Sequence, residues 1–99
     1  MSRLGEAVAA ATRIETPPNW HFRGIEVSVS YGSNDQDGST HACAYWWAKS
    51  SRGRWTQRRS VGAIVKGIDR EAALKALTMK LSDPEVDLPW RRRLPGRSR

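Results

Sequence analysis

Six cations and no acid fall between His41 and Lys66: Lys49, Arg52, Arg54, Arg58, Arg59 and Lys66. The same stretch holds Tyr45, Trp46, Trp47 and Trp55. Arginine and lysine attract phosphates and release their counterions, and aromatic rings stack on unpaired bases or pack on sugars, so this mixture suits an anionic polymer. A solvated surface ordinarily mixes both signs of charge, which this stretch does not. A second block, Arg91, Arg92, Arg93, Arg97 and Arg99, follows Trp90. By segment the net charge is −2 over 1–40, +6 over 41–66, −2 over 67–90 and +5 over 91–99. The net +7 is therefore concentrated in two blocks, the footprint expected for an anionic ligand.

Other chemistry finds less support. On a strand, His41 and Cys43 share a face, but zinc needs two further ligands and no CxxC or HxxxH partner exists, His21 being the one other histidine. As a nucleophile pair the two side chains would stand about 7 Å apart at i, i+2, with no third group to orient them. Ser33 to Ala44 places Asp35, Asp37 and Gly38 like parts of a calcium loop, yet its last position is Ala44 where the bidentate acid belongs. Walker, GxSxG and HExxH motifs are absent. We therefore expect no enzyme, no metal and no cofactor.

The elements that must position the basic stretch can be read along the chain. Ninety-nine residues suffice for one domain with one modest core. Leu4, Ala7, Val8 and Ala11 recur at helical spacing behind Ser2 as N-cap, predicting a helix to Ile14 that Pro17 and Pro18 stop. Ile25, Val27, Val29 and Tyr31 alternate with polar residues and predict a strand. Gly32 to Ser39 has loop composition. A second strand over His41–Lys49, the connection Ser50-Ser51-Arg52-Gly53 and a third strand over Arg54–Val65 form a hairpin, with Gly62 marking a bulge or the strand's end. Asp69 caps a last helix through Leu81, with Ala73, Leu74, Leu77 and Leu81 as its buried stripe. The fold class is thus α+β, in the order α-β-β-β-α with both helices on one face of a three-stranded antiparallel sheet. The domain spans 1–82, and 83–99 reads as an extended basic tail broken by Pro84, Pro89 and Pro95.

One face of the second strand takes Ala42, Ala44, Trp46 and Ala48, small enough to sit under helices around one large ring, which turns Tyr45, Trp47 and Lys49 outward. If Trp47 pairs with Trp55, the outer face also collects Trp55, Gln57 and Arg59; a slip by one turns Trp55 inward and exposes Arg54, Thr56 and Arg58. The face is basic in either register.

The element order resembles the double-stranded-RNA-binding domain. The loop Gly32–Thr40 carries Asp35 and Asp37, and the last helix opens Asp69-Arg70-Glu71 where that family has lysines, so the likeness is topological and transfers no binding residue. Tyr45-Trp46-Trp47, Arg52-Gly53-Arg54-Trp55 and Arg70-Glu71-Ala72-Ala73 resemble three-stranded-sheet DNA-binding domains of the integrase-arm and related plant type, which implies recognition from the strands.

These observations lead us to expect a non-catalytic nucleic-acid-binding protein, for DNA or RNA, using Tyr45, Trp47, Lys49, Arg52, Arg54, Trp55, Arg58 and Arg59 with Arg91, Arg92 and Arg93 of the tail. Arginine and aromatics also anchor protein interfaces, so the alternative is a small interaction module, an inhibitor or adaptor, on an acidic protein. A homodimer burying the tryptophans is a third arrangement. No apolar run approaches the roughly 18 to 20 residues of a membrane span, no signal-peptide pattern opens the chain, and one cysteine forbids an internal disulfide, all of which fit the cytoplasm. Thirteen arginines against four lysines suit a GC-rich bacterial or phage genome.

Overall fold

The computed structural model describes residues 2–31 and 38–90, with the backbone alone at 57–59. Its elements are α1 (Arg3–Arg13), β1 (Trp20–Ser30), β2 (Ser39–Lys49), β3 (Trp55–Lys66) and α2 (Arg70–Leu81). The strands form one antiparallel sheet in the order β1-β2-β3. Both helices pack on the same face of it, the α+β arrangement read from the sequence.

Local chemistry sets the helix starts. Ser2 Oγ accepts from the Gly5 amide at 2.9 Å, and the Asp69 carboxylate accepts from Ala72 at 3.0 Å, each satisfying an amide that the first turn leaves without a partner. Behind these caps, Ala7, Ala10 and Ala11 of α1 and Ala73, Leu74, Leu77 and Leu81 of α2 are buried. They meet Ala42, Ala44 and Trp46 of β2, and Trp46 is fully buried. Alanines on both layers let the backbones approach closely, and the Trp46 ring fills the space that remains. Thr40 ties the β3–α2 connection to the sheet: its buried hydroxyl donates to Gly67 O at 2.7 Å and accepts from the Asp69 amide at 2.9 Å.

Four features depart from the sequence reading. β1 begins at Trp20, upstream of the expected Ile25, because a bulge between Phe22 and Gly24 shifts the inward set from Trp20 and Phe22 to Ile25 and Val27. The β2–β3 connection runs over 50–54, one residue longer than expected, and is organised by Ser50: its amide donates to Arg54 O at 2.7 Å, and its hydroxyl accepts from the amides of Arg52 and Arg54. Gly62 neither bulges nor ends β3; it pairs with Cys43 inside a continuous ladder.

The fourth departure concerns residues 83–90, which belong to the domain. Val86 and Leu88 are buried in the core, and Trp90 meets Trp20 at a tilt, 5.7 Å between ring centres, and Trp46 edge to face at 5.4 Å. No helix continues past Leu81, but a non-helical segment can still bury its apolar side chains against the core. Of the expected tail, 91–99 lie outside the described residues, as do 32–37 of the expected loop.

Candidate functional site

The face of the sheet away from the helices carries the candidate site, and two bulges shape it. In β1, Arg23 is the extra residue between the pairs Phe22↔Trp46 and Gly24↔Tyr45. Gly24 adopts φ 142°, a conformation side-chain-bearing residues rarely take, so glycine is what lets the strand bend there. In β3, the pairs Ala48↔Gln57 and Lys49↔Trp55 leave Thr56 extra. That bulge answers the question of register with neither expected alternative. Trp47 stands opposite Arg58, whereas Trp55, opposite Lys49, joins the outer face.

The result is a cluster of rings and cations drawn from all three strands. The rings of Trp47 and Trp55 lie 6.3 Å apart, and His21 meets Trp55 edge to face at 5.1 Å. The Arg23 guanidinium stands over both tryptophans, 5.7 Å from the Trp47 ring centre and 6.0 Å from that of Trp55. Lys49 Nζ stands 5.4 Å from the Trp55 ring centre. At these distances the cations are held by the ring quadrupoles, so charge is presented above an aromatic floor. Trp55 remains 41% exposed despite these neighbours.

Of the sequence-predicted residues, the fold gathers Tyr45, Trp47, Lys49 and Trp55 on this face and places exposed Arg52 and Arg54 at the adjoining turn. Arg58 and Arg59 occupy register positions opposite Trp47 and Trp46, and their side chains lie outside the described residues, as do Arg91, Arg92 and Arg93. Trp90 is fixed where β1 begins and β2 ends, the end of the sheet that carries the Arg52–Arg54 turn. The sequence reading missed His21, Arg23 and Glu26. The signal for them is Gly24 between two short apolar alternations that are one residue out of phase, the mark of a bulge inside a longer strand.

Beside Trp47 the bulge opens a shallow cavity of about 300 Å³, lined by Arg23, Gly24, Ile25, Glu26, Tyr45 and Trp47. The Tyr45 hydroxyl donates to the Glu26 carboxylate across the β1–β2 pair. That hydrogen bond, followed by partial burial and the proximity of Cys43, pushes the phenol up to about 12, so Tyr45 stays a neutral donor through the physiological range.

Further along the face, Cys43 Sγ lies 3.1 Å from His41 Nε2, closer than the roughly 7 Å expected from strand spacing. Gly62 makes this approach feasible: a Cβ there would fall 2.7 Å from His41 Nε2 and 3.1 Å from Cys43 Sγ. The thiol itself is buried, and burial shuts it off from bulky reactants. No group of three His, Cys, Asp or Glu is placed to hold a metal among the described residues, and none of their helices is long and apolar enough to cross a membrane. No family model matches the chain, and no curated protein or solved structure is significantly similar to it.

Proposed function

We propose that this protein binds nucleic acid, without catalysis, through the open face of its sheet. The observation that carries the reading is the cluster of His21, Arg23, Trp47, Lys49 and Trp55, in which two cations sit on two tryptophan rings. An open sheet face needs no large rings for packing. Rings left there beneath cations offer stacking surface together with phosphate contacts, the combination used on backbone-tracking surfaces. A cationic ligand would have to displace Arg23 and Lys49, so the surface favours an anion. The exposed arginines of the Arg52–Arg54 turn extend the positive field at the edge of this face.

The test is anisotropy of a labelled single strand and a labelled duplex across a salt series. If Arg23, Lys49, Arg52 and Arg54 each neutralise one phosphate of a single strand, log affinity falls against log salt with a slope of about −3. Binding indifferent to salt contradicts the proposal and favours docking on an acidic protein surface.

A further inference from the structure

A sheet in the order β1-β2-β3 has two edge strands, and this one treats them unequally. An edge offers unpaired backbone N–H and C=O groups to another strand, and bulges and cationic side chains are the common guards against that pairing. β3 is guarded along its length. It has the bulge at Thr56, its sequence carries Arg58, Arg59 and Lys66, and Lys80 Nζ reaches over from α2 to donate to Gly62 O at 2.6 Å. β1 has its bulge at Arg23, near its start, and no guard of this kind beyond it. From Ile25 to Tyr31 the sequence is Ile-Glu-Val-Ser-Val-Ser-Tyr, without a cation or a proline, and Ile25–Ser30 keep an unbroken register against β2.

The side chains of this run show what the open edge fits. Ala42, Ala44 and Trp46 of β2 are fully buried, whereas Ile25, Val27 and Val29, on the same helix-facing side of β1, are only half-buried. Tyr31, next in that alternation, is 80% exposed. The apolar alternation therefore runs on to the edge of the core with one flank uncovered. The run is also its own complement. Turned about a two-fold axis through Ser28, it sets Val27 opposite Val29 and Ile25 opposite Tyr31 of the second copy, apolar against apolar on one side, with the serines and Glu26 on the other. Each chain carries a net +7, so two copies repel over most of their surfaces. Along this run, whose one charged residue is Glu26 bonded to Tyr45, they can meet without setting cation against cation.

We infer that two copies of this chain pair β1 with β1, antiparallel and with Ser28 opposite its symmetry mate, so that their two sheets become one continuous sheet. The two-fold axis of such a pair stands perpendicular to the sheet, which leaves both open faces on the same side. Each face keeps its Arg23, Trp47, Lys49 and Trp55, and the two clusters fall at opposite ends of the seam because the paired strands run in opposite directions. Where the face binds nucleic acid as proposed above, the pair offers one polymer two cationic clusters. The pairing itself does not depend on that reading.

The experiment is sedimentation equilibrium of the full chain, without nucleic acid, over a wide range of protein concentration at low and at moderate salt. The mass should rise from one chain to two with concentration, and added salt should favour the pair by screening the +7 of each copy from the other. Val29→Lys puts a charge on the apolar side of the seam in both copies and should hold the protein at one chain, with its helical circular dichroism unchanged. An equimolar mixture of Val29→Lys and Val29→Glu should recover the two-chain mass, since opposite charges then meet across the axis. Should Val29→Lys fail to fold, Tyr31→Lys, at a residue already exposed, removes both Tyr31–Ile25 pairs at once and should weaken the pair about fivefold. Wild-type protein that stays at one chain throughout overturns the inference, as does a folded Val29→Lys or Tyr31→Lys that pairs as tightly as wild type. A dimer abolished by Ile64→Lys also overturns it, because Ile64 lies on β3. Pairing that follows this pattern in a protein whose nucleic-acid binding ignores salt upholds the inference and contradicts only the function proposed above.

Discussion

Along β2 a single backbone builds two surfaces. Ala42, Ala44, Trp46 and Ala48 are buried, whereas Tyr45 and Trp47 are half-covered and Lys49 is exposed on the open side. The inner residues are constrained by volume: three small side chains and one large ring fill a fixed gap beneath α1 and α2. No such gap exists on the outer side, where short polar or β-branched residues would satisfy the sheet equally well. Rings on that side are held by charge instead, with Arg23 and Lys49 above them. The two neighbouring tryptophans thus do different jobs. Trp46 makes the fold, and Trp47 belongs to the face we propose for binding.

The two surfaces differ most sharply at Trp46. Trp46→Ala should lower stability in urea unfolding by about 3–5 kcal/mol, the usual cost of emptying a large aromatic site in a core. Leu88→Ala should cost about 2–5 kcal/mol, because Leu88 is buried in the same cluster although it lies beyond the last helix. A change within experimental error there would return the domain boundary to residue 82. On the outer face, Gly62→Val should cost about 1–3 kcal/mol by forcing His41 off Cys43, and most of that loss should be recovered when His41→Ala is added. Additive losses in that double-mutant cycle would mean the valine strains the backbone and not the histidine. Trp47→Ala should invert the pattern of Trp46→Ala, leaving the unfolding midpoint nearly unchanged and weakening single-strand binding by about tenfold, in line with the 1–3 kcal/mol of a stacked base. The smallest effect is expected for Arg23→Ala, a few-fold loss of affinity with the salt slope shallower by about 1.

The parts of this molecule legible in the sequence are those decided by neighbours along the chain. Ser2 and Asp69 cap their helices through atoms three residues away, and the alanine face of β2 follows from strand alternation alone. Bulges hide what alternation would otherwise reveal. Arg23 breaks the phase of β1, so the alternation that begins at Ile25 leaves out Trp20, His21 and Phe22, and the extra Thr56 puts Trp55 on the outer face while Arg58 stands opposite Trp47. Gly62 was legible as unusual but not for its reason, which is the His41 ring on the neighbouring strand. Val86, Leu88 and Trp90 alternate with Asp87 and Pro89, but so short a run between prolines reads as tail, and its packing depends on neighbours that come together only after helices and sheet have met.

The five tryptophans divide between the two surfaces, so each surface carries its own reporters. Trp20 and Trp46 both meet Trp90 on the helix side, and Trp47 and Trp55 lie on the open side. Titrating a labelled protein with a short single strand and following the five indole N–H resonances by NMR reads both groups at once. The Trp47 and Trp55 signals should shift progressively while the other three stay in place. Shifts confined to Trp20, Trp46 and Trp90, or none at saturating strand, would contradict it.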